Sequence, residues 1–556
     1  MNIRLLLFAC LFLFDSFAAS AQKIAFISDA HIQNIEDYPE LIRSMEAQVQ
    51  STRLFNENYF ALLAALDDVA QRNISLVVLP GDLTDNGQFI NQEKINQILT
   101  DYTKRYGMKF FVTTGNHDPA LPFGMEQAGH DFLKADGSRN TLTNRCAGYE
   151  QEMACYSRFG FYPQPEYLYW ESPFTSYVYE NYAYDTAKRE GGFENRHYVL
   201  CDSLTATDAS YLVEPVEGIW LLAIDAGVYL PKTVKNGKLI YQGSSVGYNN
   251  VLRHKPFLLS WVRKVASEAR RLNKTLITFS HYPLVDFNDG ASEQMGKAWG
   301  NTKFDFPRVP TEEVGQAFLE AGIRFHIAGH MHVNDTGVLE GRDGSHLYNV
   351  QVPSIATYIP AYKIVTAESR QEFAVETVVL DSVPGFDRCF SLYQKEHEAD
   401  LLRGKTPIWN AEALKSANYQ TFCDVQFRDL VRTRFIPKDF PSIVKDSIAV
   451  MSGEQLLAYV SGEPSEAKTA AGWNGYDLIV DLCRLRYADR LALRDIPSER
   501  LAAYARLFDA VRTSDMSSEV VTRLREIAEI FEHFLHGEPC VNFRIDLEAD
   551  SITECE

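Results

Sequence analysis

The stretch "FHIAGHMH" (325–332) decides the fold. A short apolar run ends at Gly329 and is followed by two histidines, His330 and His332. A run that is continuous rather than alternating fits a strand covered on both faces, with polar groups at its tip. The pattern recurs in "KIAFISD" (23–29), "SLVVLPGD" (75–82), "KFFVTTGNHD" (109–118), "IWLLAID" (219–225) and "TLITFSHYP" (275–283). Helix-like stretches lie between them at 58–72, 91–106, 254–272 and 311–322. Alternation of buried strands with amphipathic helices predicts an α/β layered domain. The segments 337–352 and 372–380 read as closing hairpin strands of a second sheet.

Two regions break this rhythm. Residues 119–215 form a long insertion, in which twelve of the 29 residues from Tyr156 to Tyr184 are aromatic. A structureless loop of that length is improbable, so it should fold as a lid or subdomain. Beyond residue 386 the pattern turns helical, at 475–493, 498–511 and 518–535, and 386–556 reads as a separate helical domain.

Bulk properties narrow the function. The 556 residues carry 54 Lys plus Arg against 74 Asp plus Glu, a net charge of −20. Nucleic-acid backbones need a basic face, so they are not the expected partner. A small phosphate ester held by metal ions is compatible with that charge, because the ions dominate locally. Arg4, the run "LLLFACLFLF" and Ala19-Ser20-Ala21 read as a secretory leader over 1–21, cut after Ala21. That predicts a secreted or periplasmic chain without a membrane span. Phe8 disfavours a lipoprotein reading through Cys10. The eight other cysteines could form disulfides in an oxidising space, with Cys146–Cys155 and Cys540–Cys555 as candidates over short loops.

The chemistry sits at the strand tips. Asp29 and His31 follow the first run, Asp82 the second, and Asn116 and His117 the third. His281 ends a later run, and His330 and His332 end the last. In open α/β sheets ligands bind beyond the carboxyl ends of strands, so these side chains can share one crevice. Carboxylate, imidazole and amide oxygen suit a borderline-hard divalent or trivalent metal. A mononuclear site would use three or four of them; Asp29, His31, Asp82, Asn116, His281, His330 and His332 together suggest two metals sharing a bridge.

The motifs "DAH" (29–31), "GD" (81–82), "GNHD" (115–118), "SHYP" (280–283) and "GHMH" (329–332) occur in order across about 23–380. In this the chain resembles the calcineurin-like metallophosphoesterases. The resemblance implies a four-layer β-sandwich flanked by helices over 22–385, with the helical domain 386–556 added. It implies two ions (Mn, Fe or Zn), one held by Asp29, His31, Asp82 and His332 and the other by Asp82, Asn116, His281 and His330. Asp82 would give one oxygen to each. The implied reaction is phosphoester hydrolysis by a metal-bound hydroxide, with His117 as general acid oriented by Asp118.

"GDLTDNG" (81–87) is similar to the branch containing class III cyclic-nucleotide phosphodiesterases. Purple acid phosphatases place a metal-binding Tyr three residues after the bridging Asp; here Asp85 stands there. The insertion and the tail set the chain apart from compact cyclic-nucleotide enzymes. Trp170, Tyr177 and Tyr179 could stack on a nucleotide-like substrate, although a core of the insertion explains them better. His254, His326 and His346 read as structural; His326 lies about 13 Å down the strand from His330. Two other readings compete, a non-catalytic binding protein on the same fold and a nuclease.

Overall fold

The computed structural model describes residues 21–201, 204–235, 238–462 and 472–555. The expected leader, apart from Ala21, and Cys10 lie outside the described residues.

The strands of the two main sheets, in chain order, are β1 (Gln22–Phe26), β2 (Leu76–Leu79), β3 (Lys109–Val112), β4 (Tyr169–Glu171), β5 (Tyr211–Val216), β6 (Ile219–Ile224) and β7 (Thr275–Ser280). Then follow β8 (Phe325–Ala328), β9 (Asp335–Glu340), β10 (His346–Gln351), β11 (Ala361–Ala367), β12 (Glu372–Val379), β13 (Asn542–Asp546) and β14 (Ser551–Glu554). They form one seven-stranded sheet of order β14-β13-β12-β11-β1-β2-β3 and another of order β9-β10-β8-β7-β6-β5-β4. The runs singled out by continuous apolarity are parallel neighbours. β1 pairs with β2 and β2 with β3, while β6 pairs with β7 and β7 with β8. Parallel strands need cover on both faces, which is why Leu76, Val77, Val78 and Leu79 are all buried.

The sheets face one another. Phe325 of β8 stacks on Phe373 of β12 with ring centroids 4.3 Å apart. The Tyr211 hydroxyl on β5 donates to the Val112 carbonyl on β3 at 2.8 Å. The helix Phe89–Tyr106 contacts β3, while Pro256–Arg271 contacts β7 and Glu312–Glu320 contacts β10. Helix, sheet, sheet and helix are therefore the four layers, as the family resemblance implied. Helix Phe89–Tyr106 stops where Gly107 adopts φ 71°, a left-handed C-cap that a residue with a Cβ adopts only under strain.

One of the two expectations about closing strands changes. The hairpin 335–351 closes the second sheet, but "EFAVETVVL" belongs to the first, where β12 pairs with β11 and β13. Strand β11 runs antiparallel to β1, and so carries β12 to that side.

The insertion is woven into the sandwich. Its β4 and β5 extend the second sheet, and a hairpin of Met125–Leu133 with Arg139–Cys146 projects from it. The aromatic stretch builds core. Trp170 is fully buried with its Nε1–H on the Gly160 carbonyl, and Tyr169 stacks on Trp220.

Beyond residue 386 the chain is helical as far as Leu535. The helix Glu519–Leu535 starts at Ser518, whose side chain accepts from the Val521 N–H. It buries Val520, Leu524, Ile527, Phe531 and Phe534 at helical spacing. Each such side chain contributes about 1.5–3 kcal/mol of burial. The chain then returns to the first sheet as β13 and β14, so element type changes at 386 but sheet membership does not.

The eight cysteines from Cys146 onward are unpaired. The candidate pairings are corrected by position. Cys540 is buried and accepts from Asn334 Nδ2 at 3.3 Å, while Cys555 follows the last strand, its N–H on the Asn542 carbonyl. Cys146 closes a hairpin strand and Cys155 a helix. Among the described residues no helix is long and apolar enough to cross a membrane.

Candidate metal centre

Every tip residue lies in a turn just past its strand. β1 leads to Asp29 and His31, β2 to Asp82, β3 to Asn116 and His117, β7 to His281, and β8 to His330 and His332. Five of them hold left-handed backbones: φ is 51° at Asp29, 45° at His31, 49° at Asp82, 72° at His330 and 58° at His332. For residues with a Cβ this conformation costs on the order of 1–3 kcal/mol each and persists where surroundings over-determine it. The surroundings are other loops at close range. A Cβ on Gly329 would collide with Ser28 and the Asp29 carboxylate, and one on Gly115 would collide with Asp82 Oδ1. Glycine at 329 lets loops from the two sheets touch, and glycine at 115 lets neighbouring loops of the first sheet do so.

The donor atoms converge. His31 Nε2 lies 3.1 Å from His332 Nε2, and His281 Nε2 lies 3.1 Å from His330 Nδ1 and 3.1 Å from Asn116 Oδ1. Asp29 Oδ1 is 3.3 Å from His332 Nε2 and receives no hydrogen bond. Asp82 Oδ2 is 3.3 Å from His281 Nε2 and 3.8 Å from His31 Nε2, so it faces both histidine groups. Asp82 Oδ1 is occupied by the His117 N–H at 2.8 Å. The expected division of one carboxylate oxygen per ion gives way to a single oxygen facing both groups.

The outer ring nitrogens decide the tautomers. His281 Nδ1 donates to the Pro80 carbonyl at 2.9 Å, His332 Nδ1 to Thr52 at 3.0 Å, and His330 Nε2 to Ser245 at 2.9 Å. On these three rings the inner nitrogen is left with its lone pair turned inward, whereas His31 Nδ1 has no hydrogen-bond partner. Two nitrogen lone pairs 3.1 Å apart repel unless a positive charge lies between them. Unpartnered Asp29 Oδ1 adds a buried negative charge to the same space. The set of carboxylate, imidazole and amide donors therefore fits metal ions. Oxygen and nitrogen atoms of Asp29, His31 and His332, and of Asp29, Asp82 and His281, cluster within 4.8 Å.

Electrostatics follow the same geometry. Burial opposes charge on His281, but the Asp82 carboxylate outweighs it and raises the ring to about 9, so a proton competes with a metal ion for the inner nitrogen. Burial and Arg53 push His31 well below its ordinary value, and burial and Arg308 do the same to His330. Burial raises Asp82, yet His281 and His117 hold it well below the carboxylate range.

His117 stands at the rim with a different partner from the one expected. Its Nδ1 lies 2.6 Å from Asn86 Oδ1, and its Nε2 accepts from Arg53 Nη1 at 3.1 Å. Asp118 does not touch the ring. Its carboxylate accepts from the Thr84 N–H and hydroxyl, both at 2.6 Å. Burial pushes the Asp118 carboxyl up to about 7, and burial with Arg53 pushes His117 down to about 3. Arg53 is itself held by Asp85, whose Oδ1 is 3.0 Å from Arg53 Nη2 and whose Oδ2 is 2.7 Å from Arg43 Nη1. Burial opposes the charge of Asp85, but the two arginines push it down to about 2. Asp85 and Asn86 stand within "GDLTDNG", but nothing in that motif alone gives either a role toward His117. Arg53 lies in a stretch without periodicity, so no local signal marks it.

Not every feature of the sequence reaches the centre. Trp170 and its β4 neighbours lie three strands from β7, about 14 Å away across the sheet. Tyr177 donates to the Trp170 carbonyl, and Tyr179 packs on Trp220. His326 is satisfied by Ser280 and Asn349, at 2.9 and 2.7 Å. A cavity of about 480 Å³ lined by Arg270, Lys274, Arg324 and Arg370 shares no residue with the centre. The helical region does reach it from behind. Met331, between the two histidines, is buried in one core with Tyr358, Phe427, Phe435 and Tyr487. The Asn334 N–H donates to the Tyr487 carbonyl at 2.9 Å.

The sequence model of the calcineurin-like phosphoesterases matches residues 22–334. Among solved structures, a dimetal phosphatase from Danio rerio aligns at 13% identity over 64% of this chain and 95% of that chain, with TM-score 0.33. A purple acid phosphatase from yellow lupin (Lupinus luteus) seeds aligns at 11% identity over 65% of this chain and 52% of that chain, with TM-score 0.29. Comparison with curated proteins finds no match.

Proposed function

Because the chain belongs to the calcineurin-like phosphoesterases, enzymes that hydrolyse phosphoric esters, we propose that it cleaves a small phosphate ester at the centre built by Asp29, His31, Asp82, Asn116, His281, His330 and His332. The observation that supports this most is the facing of inner ring nitrogens 3.1 Å apart, with the outer nitrogens of His281, His330 and His332 on backbone carbonyls, beside two buried carboxylates. Asp29, His31, Asp82 and His332 would hold one ion, and Asp82, Asn116, His281 and His330 the other. Two divalent or trivalent ions bound there supply Lewis-acid charge and acidify a water.

The chain's own groups take the remaining roles. Asp29 and Asp82 keep the centre negative enough to retain two cations. Of the seven metal-facing residues only Asn116 is partly exposed, and His117, Arg53 and Asn86 share that open side, so a substrate enters phosphate first and its bulk stays outside. Arg53 is aimed by Asp85 and binds a phosphoryl oxygen. In turning to it, Arg53 releases His117 Nε2 to carry a proton, while Asn86 holds the other nitrogen. His117 then protonates the leaving oxygen, a contribution of about 10²–10⁴-fold. Two arginines near the site, Arg53 and Arg308, favour a monoester; the likeness of "GDLTDNG" to cyclic-nucleotide diesterases favours a diester. Export rests on Arg4 and the apolar run before Ala19-Ser20-Ala21, and a recovered chain beginning at Gln22 would bear it out.

The test compares p-nitrophenyl phosphate with bis-p-nitrophenyl phosphate, with Mn²⁺ and metal content measured on the same sample. Turnover of either, lost on chelation, is the expected result. Two bound metals with no turnover of any ester would leave a binding protein instead. His117→Gln should slow an alkyl ester far more than a p-nitrophenyl ester at unchanged metal content. Equal losses on both would remove the acid role.

A further inference from the structure

A second group of carboxylates, none of them a member of the centre, has no ion-pair partner among the described residues. Asp289, Asp335 and Asp489 each offer an oxygen, and the three atoms lie within 4.8 Å of one another. They come from three places: the turn after β7, the first residue of β9, and the end of the helix Gly475–Ala488. Among the described residues none of the three forms an ion pair with a side chain. Asp335 is 2% exposed, and neither of its carboxylate oxygens receives a hydrogen bond. Asp489 Oδ2 is also without a donor. Lys363, whose charge reaches Asp335 and Asp489, gives its three N–H bonds to Asn334 Oδ1, Thr377 Oγ1 and the Cys540 carbonyl, all at 2.8 Å.

The same chain shows what a self-neutralised triad looks like. Glu46, Glu396 and Asp400 also gather within 4.8 Å. There Arg139 Nη2 reaches all three, at 2.5, 2.9 and 3.3 Å, and Lys405 reaches Glu46 and Asp400. In the Asp289 group, among the described residues, no side-chain cation bonds to the carboxylates; the charges of Lys363 and Arg490 act on Asp489 only through space. Burial raises all three of its carboxyls, and repulsion among them raises Asp289 and Asp335 further. An unpaired buried charge is costly, so the group must take up either protons or a cation. Its backbone is shaped for close approach: a Cβ on Gly537 would collide with Asp289 Oδ1.

We propose that Asp289, Asp335 and Asp489 form a third cation site, separate from the phosphoesterase centre, that binds a hard divalent cation of the calcium type. Oxygen-only donors with backbone and water to complete the shell suit Ca²⁺ rather than Zn²⁺. The ion would be structural. Asp335 follows His332 by three residues, and Asp489 belongs to the helical region, so one ion would join the metal-binding turn of β8 to the helices packed behind it.

The experiment uses the full chain carrying Asp82→Asn, which disables the other centre, with Ca²⁺ alone as probe. Thermal unfolding and Ca²⁺ binding by calorimetry are read together. Expected are one Ca²⁺ per chain and a rise of several degrees in Tm at saturating ion, because a ligand that binds only the folded state stabilises it by mass action. Adding Asp335→Asn should abolish both. Asp289→Asn, at a less buried position, should do the same and decides the matter if the first variant does not fold. The idea is overturned if Ca²⁺ neither binds nor raises Tm in the Asp82→Asn chain. It is equally overturned if the rise survives Asp289→Asn, or if Asp335→Asn raises Tm without Ca²⁺ dependence in either form. That last pattern would mean shared protons.

Discussion

The metal centre and the Glu46–Glu396–Asp400 cluster face one electrostatic problem and resolve it in opposite ways. Both bury carboxylates contributed by distant segments. In the cluster Arg139 and Lys405 bring the missing charge, and the carboxylates are satisfied by the chain itself. In the centre the histidine N–H groups turn outward to carbonyls, the lone pairs turn inward, and Asp29 Oδ1 has no donor. Left-handed backbones at five of the tip residues hold that arrangement. The difference teaches that a binding site is recognised less by the residues it collects than by the valences it leaves open. Glu57 shows a third solution. It is 1% exposed, accepts from the Tyr393 hydroxyl at 2.6 Å on one oxygen, has no donor on the other and no cation beside it.

The sharpest way to break the comparison is Asp82→Asn. It removes the one oxygen that faces both histidine groups, and several kcal/mol of transition-state charge stabilisation with it, so activity should fall by about 10³-fold or more with loss of bound metal. Full metal content in that variant would show that the centre does not depend on Asp82. Next comes Arg139→Leu, which leaves buried Glu396 without a cation and Glu46 and Asp400 with less charge to balance them. Stability should fall by about 4 kcal/mol, seen as a lower urea midpoint, while turnover per folded molecule holds. A gain of divalent-ion binding there would erase the distinction between the two clusters.

The smallest effect tests the third solution. Burial raises Glu57 from 4.5 to about 7. Between those values the folded chain holds a proton that the unfolded chain has lost. Its contribution is complete below pH 4.5 and disappears as pH rises through 7, about 3 kcal/mol in all. Glu57→Gln should therefore gain stability over the parent at pH 7.5 compared with pH 5. A parallel pH course in parent and variant would mean that Glu57 is ionised in the fold.

Much of the centre was legible in one dimension. Asp29, His31, Asp82, Asn116, His281, His330 and His332 each follow a continuous apolar run, and such runs mark strands covered on both faces whose tips meet at one end of a sandwich. Residues 542–554 were not legible, because "NFRID" and "SITE" are too short to stand out from the helices before them. The aromatic run from Tyr156 was open to two readings, since ring spacing does not say what a ring faces. Only the pairing of β4 with β5 puts Trp170 in the core.

What the sequence by itself determined is the list of chemistry-bearing residues and their places at strand ends, because buried strands have a local signature of apolar residues closed by glycine or polar groups. Only the tertiary structure decided which atoms meet. Asn86 rather than Asp118 holds His117, Arg53 covers its other nitrogen, one oxygen of Asp82 faces both histidine groups, and Met331 anchors the "GHMH" turn in the helical region. The physical reason is that lone-pair direction and counter-charge depend on contacts between segments tens to hundreds of residues apart, and no local pattern encodes those.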